Sequence, residues 1–162
     1  MSTVEDRLAK LGYVLPRPLR LPPGVTLPFA AVRVVGSRAI ISGHGPTTAD
    51  GELAQPLGKV GAEVTEEQGY VAARLAGLAI LASLKRELGS LESVAGWSRV
   101  FGMVNSAPGF HRQSAVINGF SDLIISVFGA ERGAHARSAV GMAELPFRLP
   151  VEIEAEVELR RD

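Results

Sequence analysis

A chain of 162 residues with 17 Lys+Arg against 17 Asp+Glu, 46% hydrophobic residues and no cysteine fits one domain that buries about 70% of its unfolded surface. The balanced charge gives no general pull toward nucleic acid or an acidic membrane. The missing cysteines exclude disulfides, thiolate metal sites, iron–sulfur clusters and a cysteine nucleophile, so any chemistry rests on oxygen, imidazole, amine or guanidinium groups.

Residues 2 to 12, STVEDRLAKLG, read as a short helix capped by Ser2, with Glu5 three positions on and Gly12 as its stop. Tyr13 to Phe29 holds five of the ten prolines, which keep it out of helices and central strands; it reads as an extended arm over the body or toward a neighbour. AVRVVGSRAIISG predicts a β-hairpin turning at Gly36-Ser37. A long loop of glycines, prolines and small polar residues follows, with a short strand around Leu53.

Thr65 and Gln68 form a capping box that opens a helix carrying Val71, Leu75, Leu78, Leu81 and Leu88 and ending at Gly89. Its middle, AARLAGLAILAS, is apolar almost all round and needs cover on two sides. A strand at Trp97 to Val104 and the turn NSAPG precede a second helix with Phe120, Leu123, Ile124, Val127 and Phe128 before Gly129. Trp97 suits a core or a subunit interface, and His111 and His135 read as solvated.

SAVGMA predicts a short strand and ELPFRLP a turn. VEIEAEVELR alternates, with Val151, Ile153, Ala155, Val157 and Leu159 on one face and Glu152, Glu154, Glu156 and Glu158 on the other. This order predicts an α+β layer, one mostly antiparallel or mixed sheet with two helices packed on one face. Apolar stretches fall well short of the roughly 18 residues that cross a bilayer, and charges interrupt the start where a signal peptide needs an apolar core. The expectation is a soluble, cytoplasmic protein.

Glutamates two apart on a strand lie about 6.7 Å from each other, which suits a solvated face. An ordinary hairpin across ELPFRLP would set Arg137, at the start of the preceding strand, beside Glu152. Such a pair is either a plain salt bridge or a grip on a substrate carboxylate, with the acid orienting a water. GxSxG is absent and the three histidines stand in unrelated contexts.

HARSAVGMAELPFRLPVEIEAEVEL resembles the C-terminal signature of the reactive intermediate deaminase family, also called the YjgF or Rid family and known too as the endoribonuclease L-PSP type. That signature runs P-A-R-S, a short strand, L-P, a turn, then V-E-I-E-A. AIISGHGP is similar to the family's L-Y-V-S-G-Q-I-P strand, and FHRQSAVINGFSDLIISVFG to its F-x-x-V-N-x-x-Y-x-x-F-F helix. The resemblance spans roughly residues 30 to 160, so it implies a 30–162 domain preceded by a helix and Pro-rich arm at 1–29.

What the resemblance implies is a chorismate-mutase-like fold, a homotrimer with clefts between subunits, and hydrolysis of enamines and imines of the 2-aminoacrylate type to 2-oxo acids and ammonia. No metal or organic cofactor is implied. Arg137 matches the arginine that pairs with the substrate carboxylate and Glu152 the glutamate that positions water. Asn118 matches the asparagine of the Val-Asn motif, Ser42 and Gly43 the strand approaching the ligand, and Phe29 stands near the family's aromatic at the cleft mouth.

Several positions depart from the pattern: His44 replaces a glutamine, Ala139 a cysteine, His135 a proline, Phe29 a tyrosine, and Ala79 an asparagine of the first long helix. His44 and Ala139 stay in the candidate binding set. The departures keep open a non-catalytic member that binds a 2-oxo acid, and a third possibility is the RNA cleavage or translation inhibition ascribed to some members.

Overall fold

The computed structural model describes residues 1–161; Asp162, the last residue of the expected 30–162 domain, lies outside the described residues. Helix α1 covers Val4–Lys10, strands β1 and β2 cover Val32–Val35 and Arg38–His44, and helix α2 covers Glu66–Leu88. Strand β3 (Val94–Asn105), helix α3 (Gln113–Arg132), strand β4 (Ala136–Met142) and strand β5 (Val151–Leu159) complete the order. The α+β layer expected from the sequence is present, as one five-stranded mixed sheet in the order β1-β2-β5-β3-β4.

Local chemistry places most boundaries. The Thr65 hydroxyl accepts from the Gln68 N–H while the Gln68 side chain accepts from the Thr65 N–H, and Gly89 closes α2 at φ 79°. In α1 the same device sits one residue later than expected: Thr3 and Asp6 form the box, not Ser2 and Glu5. Glu5 instead reaches across to accept from the Leu91 N–H at 2.9 Å, and Glu92 accepts from the Val4 N–H at 2.8 Å. With Val4 and Leu8 buried, α1 is part of the core.

One expectation about the sheet fails. β4 and β5 do not form a hairpin, because β4 pairs in parallel with β3, and β5 lies antiparallel between β2 and β3. The cause is α3: a helix between two neighbouring strands carries the chain back to the same end, so the second strand runs parallel to the first.

Core residues alternate as the sequence predicts. Val151, Ile153, Ala155 and Val157 of β5 are buried against the helices, while Glu154 and Glu158 are exposed and Glu156 pairs with Arg38 at 2.7 Å. Trp97 is core, edge-on to Phe120 and Phe128 at 5.5 and 5.7 Å.

The all-apolar middle of α2 finds its second cover within the chain. Helix α3 lies on one flank and the Pro-rich arm on another. The α2–α3 contact is so close that a Cβ at Gly119 would stand 2.0 Å from the Tyr70 carbonyl oxygen. On the arm, Tyr13 and Leu15 pack on the core, and the Arg86 guanidinium donates to the Pro16 carbonyl at 3.3 Å. Among the described residues no helix is long and apolar enough to cross a membrane.

Candidate functional site

The expected site residues fall into two groups, one where β2 meets β5 and one where β4 meets α3. Arg137 stands opposite Val100 of β3, and Glu152 opposite Met103 of the same strand. Positions three apart on a strand point to opposite faces, so Arg137 lies on the helix face and Glu152 on the other, with β3 between their strands. The hairpin pairing of Arg137 with Glu152 therefore does not occur within one chain.

Glu152, Gly43, Ser42, His44 and Phe29 belong to the first group, all lining a cavity of about 730 Å³. A β-bulge makes room for it: Ile41 pairs with Ala155 and His44 with Ile153, so Ser42 and Gly43 together face one residue of β5. Gly43 leaves room for the Glu152 carboxylate, because a Cβ there would stand 2.0 Å from Glu152 Oε1. Ser42 donates from its hydroxyl to the Ala30 carbonyl at 2.7 Å, which ties the end of the arm, beside Phe29, to the strand. Burial, then the neighbouring Glu154, pushes the Glu152 carboxyl above the ordinary carboxylate range.

Behind the bulge, His44 Nδ1 is 2.6 Å from the Ser42 carbonyl oxygen, its Nε2 is 2.9 Å from Ser83 Oγ, and Arg86 donates to that Oγ at 3.0 Å. A carbonyl only accepts, so Nδ1 carries the proton. Burial holds the His44 pKa below its ordinary value and keeps the ring neutral, which leaves Nε2 to accept from the Ser83 hydroxyl. The chain of donors runs Arg86 to Ser83 to His44 to the Ser42 carbonyl.

Arg137, Asn118 and Ala139 make the second group, on the α3 side of β4. Arg137 Nη1 donates to Asn118 Oδ1 at 2.8 Å and to Ser121 Oγ at 3.1 Å, and Nη2 to the Ser114 carbonyl at 3.4 Å. Ala139 shares that face, opposite Gly102 of β3. His135, expected to be solvated, is half-buried, with Nδ1 2.7 Å from the Gly133 carbonyl and Nε2 2.9 Å from Ser121 Oγ. His111 is exposed, as expected.

The two groups share one construction. In each, an arginine is held by a helix serine, the serine meets histidine Nε2, and histidine Nδ1 meets the carbonyl two residues earlier. The sequence reading missed Ser83 and Arg86, although Ser83 is the one hydroxyl in the run AARLAGLAILAS. It also missed Phe147, which lines the cavity at φ 56°, a left-handed conformation that costs a bulky residue energy and is held by the turn between β4 and β5. Among the described residues, no three His, Asp or Glu side chains converge as metal ligands.

A mixed five-stranded sheet with helices on one face defines the chorismate-mutase-like class. A family model described as "YjgF/chorismate mutase-like, putative endoribonuclease" matches residues 6–150. Protein TCP17 of Trypanosoma cruzi is 41% identical over 144 residues, covering 84% of this chain and 89% of that protein. The crystal structure of Atu1372 from Agrobacterium tumefaciens, a protein of unknown function, has a TM-score of 0.85 at 38% identity, over 97% of this chain and 92% of that one. A Shewanella oneidensis MR-1 structure described as a "putative endoribonuclease" has a TM-score of 0.86 at 30% identity, over 97% and 99%. The chain belongs to the YjgF family.

Proposed function

We propose that the protein hydrolyses reactive enamines and imines of the 2-aminoacrylate type to 2-oxo acids and ammonia. The site is a cleft between copies of a homotrimer, where Arg137 of one copy faces Glu152 of another. The observation that carries this reading is the state of Arg137. Its guanidinium is held by three neutral acceptors, Asn118, Ser121 and the Ser114 carbonyl, and by no carboxylate among the described residues. A cation oriented but not neutralised is prepared for the carboxylate of a ligand.

The chemistry then asks little of the protein. An enamine takes a proton at its terminal carbon to become the imine, whose carbon is electrophilic. Glu152 orients a water and accepts its proton as oxygen bonds to that carbon. Returned to nitrogen, the proton lets the C–N bond break, so one imine and one water give one 2-oxo acid and one ammonia. A carboxyl with a raised pKa suits both halves of this transfer.

The test adds purified protein to a pyridoxal-phosphate dehydratase that generates 2-aminoacrylate. Expected are faster release of ammonia and 2-oxo acid, loss of at least about a hundredfold in Arg137→Ala, and light scattering at the mass of three 17.1 kDa chains. No acceleration with any small imino acid would overturn the reading.

Ala139 and His44, where the family pattern has cysteine and glutamine, favour a second reading, 2-oxo acid binding without turnover. Saturable binding with no ammonia release would mark it. Endoribonuclease is the description of the Shewanella relative. With 17 basic and 17 acidic residues, an RNA role here would have to show as a salt-sensitive affinity.

A further inference from the structure

The 730 Å³ cavity is far larger than a three-carbon imino acid needs, and most of its wall has no part in the proposed chemistry. Leu21, Val25 and Leu27 of the arm, Leu53, Ala79 of α2 and Leu149 make that wall apolar. Val25 and Leu27 are 46% and 48% exposed, so the arm leaves apolar surface uncovered where the cavity opens. Such a space, with a few fixed polar groups, has the build of a small-molecule pocket.

The polar groups sit together. Arg86 lines the cavity with two of its five N–H donors committed, to the Pro16 carbonyl and to Ser83, and three remaining. Of the carboxylates on the cavity wall, Glu87 and Glu152, neither forms an ion pair with Arg86. Thr47 adds an independent sign: it lines the same cavity, is 7% exposed, and its hydroxyl has no partner among the described residues. Ser83 and His44 fix the guanidinium through the same construction that orients Arg137 beside α3.

We propose that the part of this cavity between the Pro-rich arm and α2 is a second ligand site, which takes a monocarboxylate with an apolar chain, its carboxylate on Arg86 and its chain against the arm. The anion replaces water on an oriented guanidinium that pairs with no carboxylate among the described residues, and the chain covers the exposed apolar faces of the arm. This site lies within one chain. It requires neither the trimer nor imine hydrolysis, and it makes the arm a ligand-holding element.

Calorimetric titration of the full chain with hexanoate, octanoate and decanoate tests it. The expected result is one saturable site per chain that tightens about fourfold for each added methylene. Arg86→Gln should weaken octanoate at least tenfold while leaving octan-1-ol unchanged, and Arg137→Gln should leave octanoate unchanged. Leu27→Asp, on the exposed arm, should weaken both ligands and serves if the Arg86 variant does not fold. Absence of saturable binding, octanoate affinity indifferent to both Arg86→Gln and Leu27→Asp, or loss of binding in Arg137→Gln would each overturn the proposal.

Discussion

The Glu152 carboxylate occupies the space in which a side chain at Gly43 would stand, since a Cβ on Gly43 would lie 2.0 Å from Glu152 Oε1. The clash is with the end of a flexible side chain rather than with backbone, so Gly43→Ala should fold and turn the carboxylate away. If Glu152 orients the attacking water, a displacement of about an ångström costs on the order of a hundredfold in kcat/KM. The expected outcome is that loss with Tm changed by no more than about 2 °C; unaltered turnover would separate Glu152 from the chemistry.

Glu152 itself should be a thermodynamic liability at neutral pH. Burial and Glu154 raise its carboxyl above the ordinary 4.5. A carboxyl with a folded pKa above its unfolded one binds its proton more tightly in the fold. Its contribution is therefore full below 4.5 and is lost as pH rises through the folded value. Glu152→Gln should melt higher than the parent at pH 7, by on the order of 1 °C for a group this exposed, and no higher at about pH 4. Scanning calorimetry at the two pH values measures the difference.

His44 has the opposite sign. Burial lowers its pKa from the ordinary 6.5, and the Arg86 charge adds to that, so the unfolded chain takes up the proton first as pH falls. Stability present above 6.5 is lost below it. His44→Gln, which keeps an acceptor for the Ser83 hydroxyl, should lose less stability between about pH 7.5 and 5.5 than the parent does. Urea denaturation at both pH values reads it.

Gly119 is where the two long helices touch, and its neighbour is the Tyr70 carbonyl, which no rotamer change can move. Gly119→Ala should therefore separate α2 from α3 and cost about 1–3 kcal/mol, seen as a Tm lower by roughly 2–12 °C. A variant that melts with the parent would show that the helices can slide apart freely.

What the sequence made legible was local. Thr65 with Gln68, Gly36-Ser37 and the alternation of residues 151–159 each encode their geometry within a few positions, and each appears in the structure. The same local reasoning placed the α1 cap one residue early, because Ser2 and Thr3 are chemically equivalent and only the reach of Glu5 to Leu91 distinguishes them. The neighbour of β4 was not legible, since a short turn suggests a hairpin and only the α3 crossover assigns β4 to β3.

For the candidate site, residues of β2 and β5 that the resemblance singled out line one cavity, and Arg137 with Asn118 made a group of its own. Ser83 and Arg86 escaped notice because a polar residue three before an arginine on a helix is unremarkable until a strand brings His44 against it.

The strand order has a consequence for how the chain is assembled. β5 is fifth in sequence and third in space, flanked by β2 on one side and β3 on the other. Until residues 151–159 are available, the β1–β2 hairpin and the β3–α3–β4 unit are two separate ribbons, each with an edge of unpaired N–H and C=O groups. Closing the sheet joins segments more than a hundred residues apart, as when Arg38 meets Glu158. During synthesis, the β2 edge must be kept from pairing elsewhere from residue 44 until residue 151, and the β3 edge from residue 105.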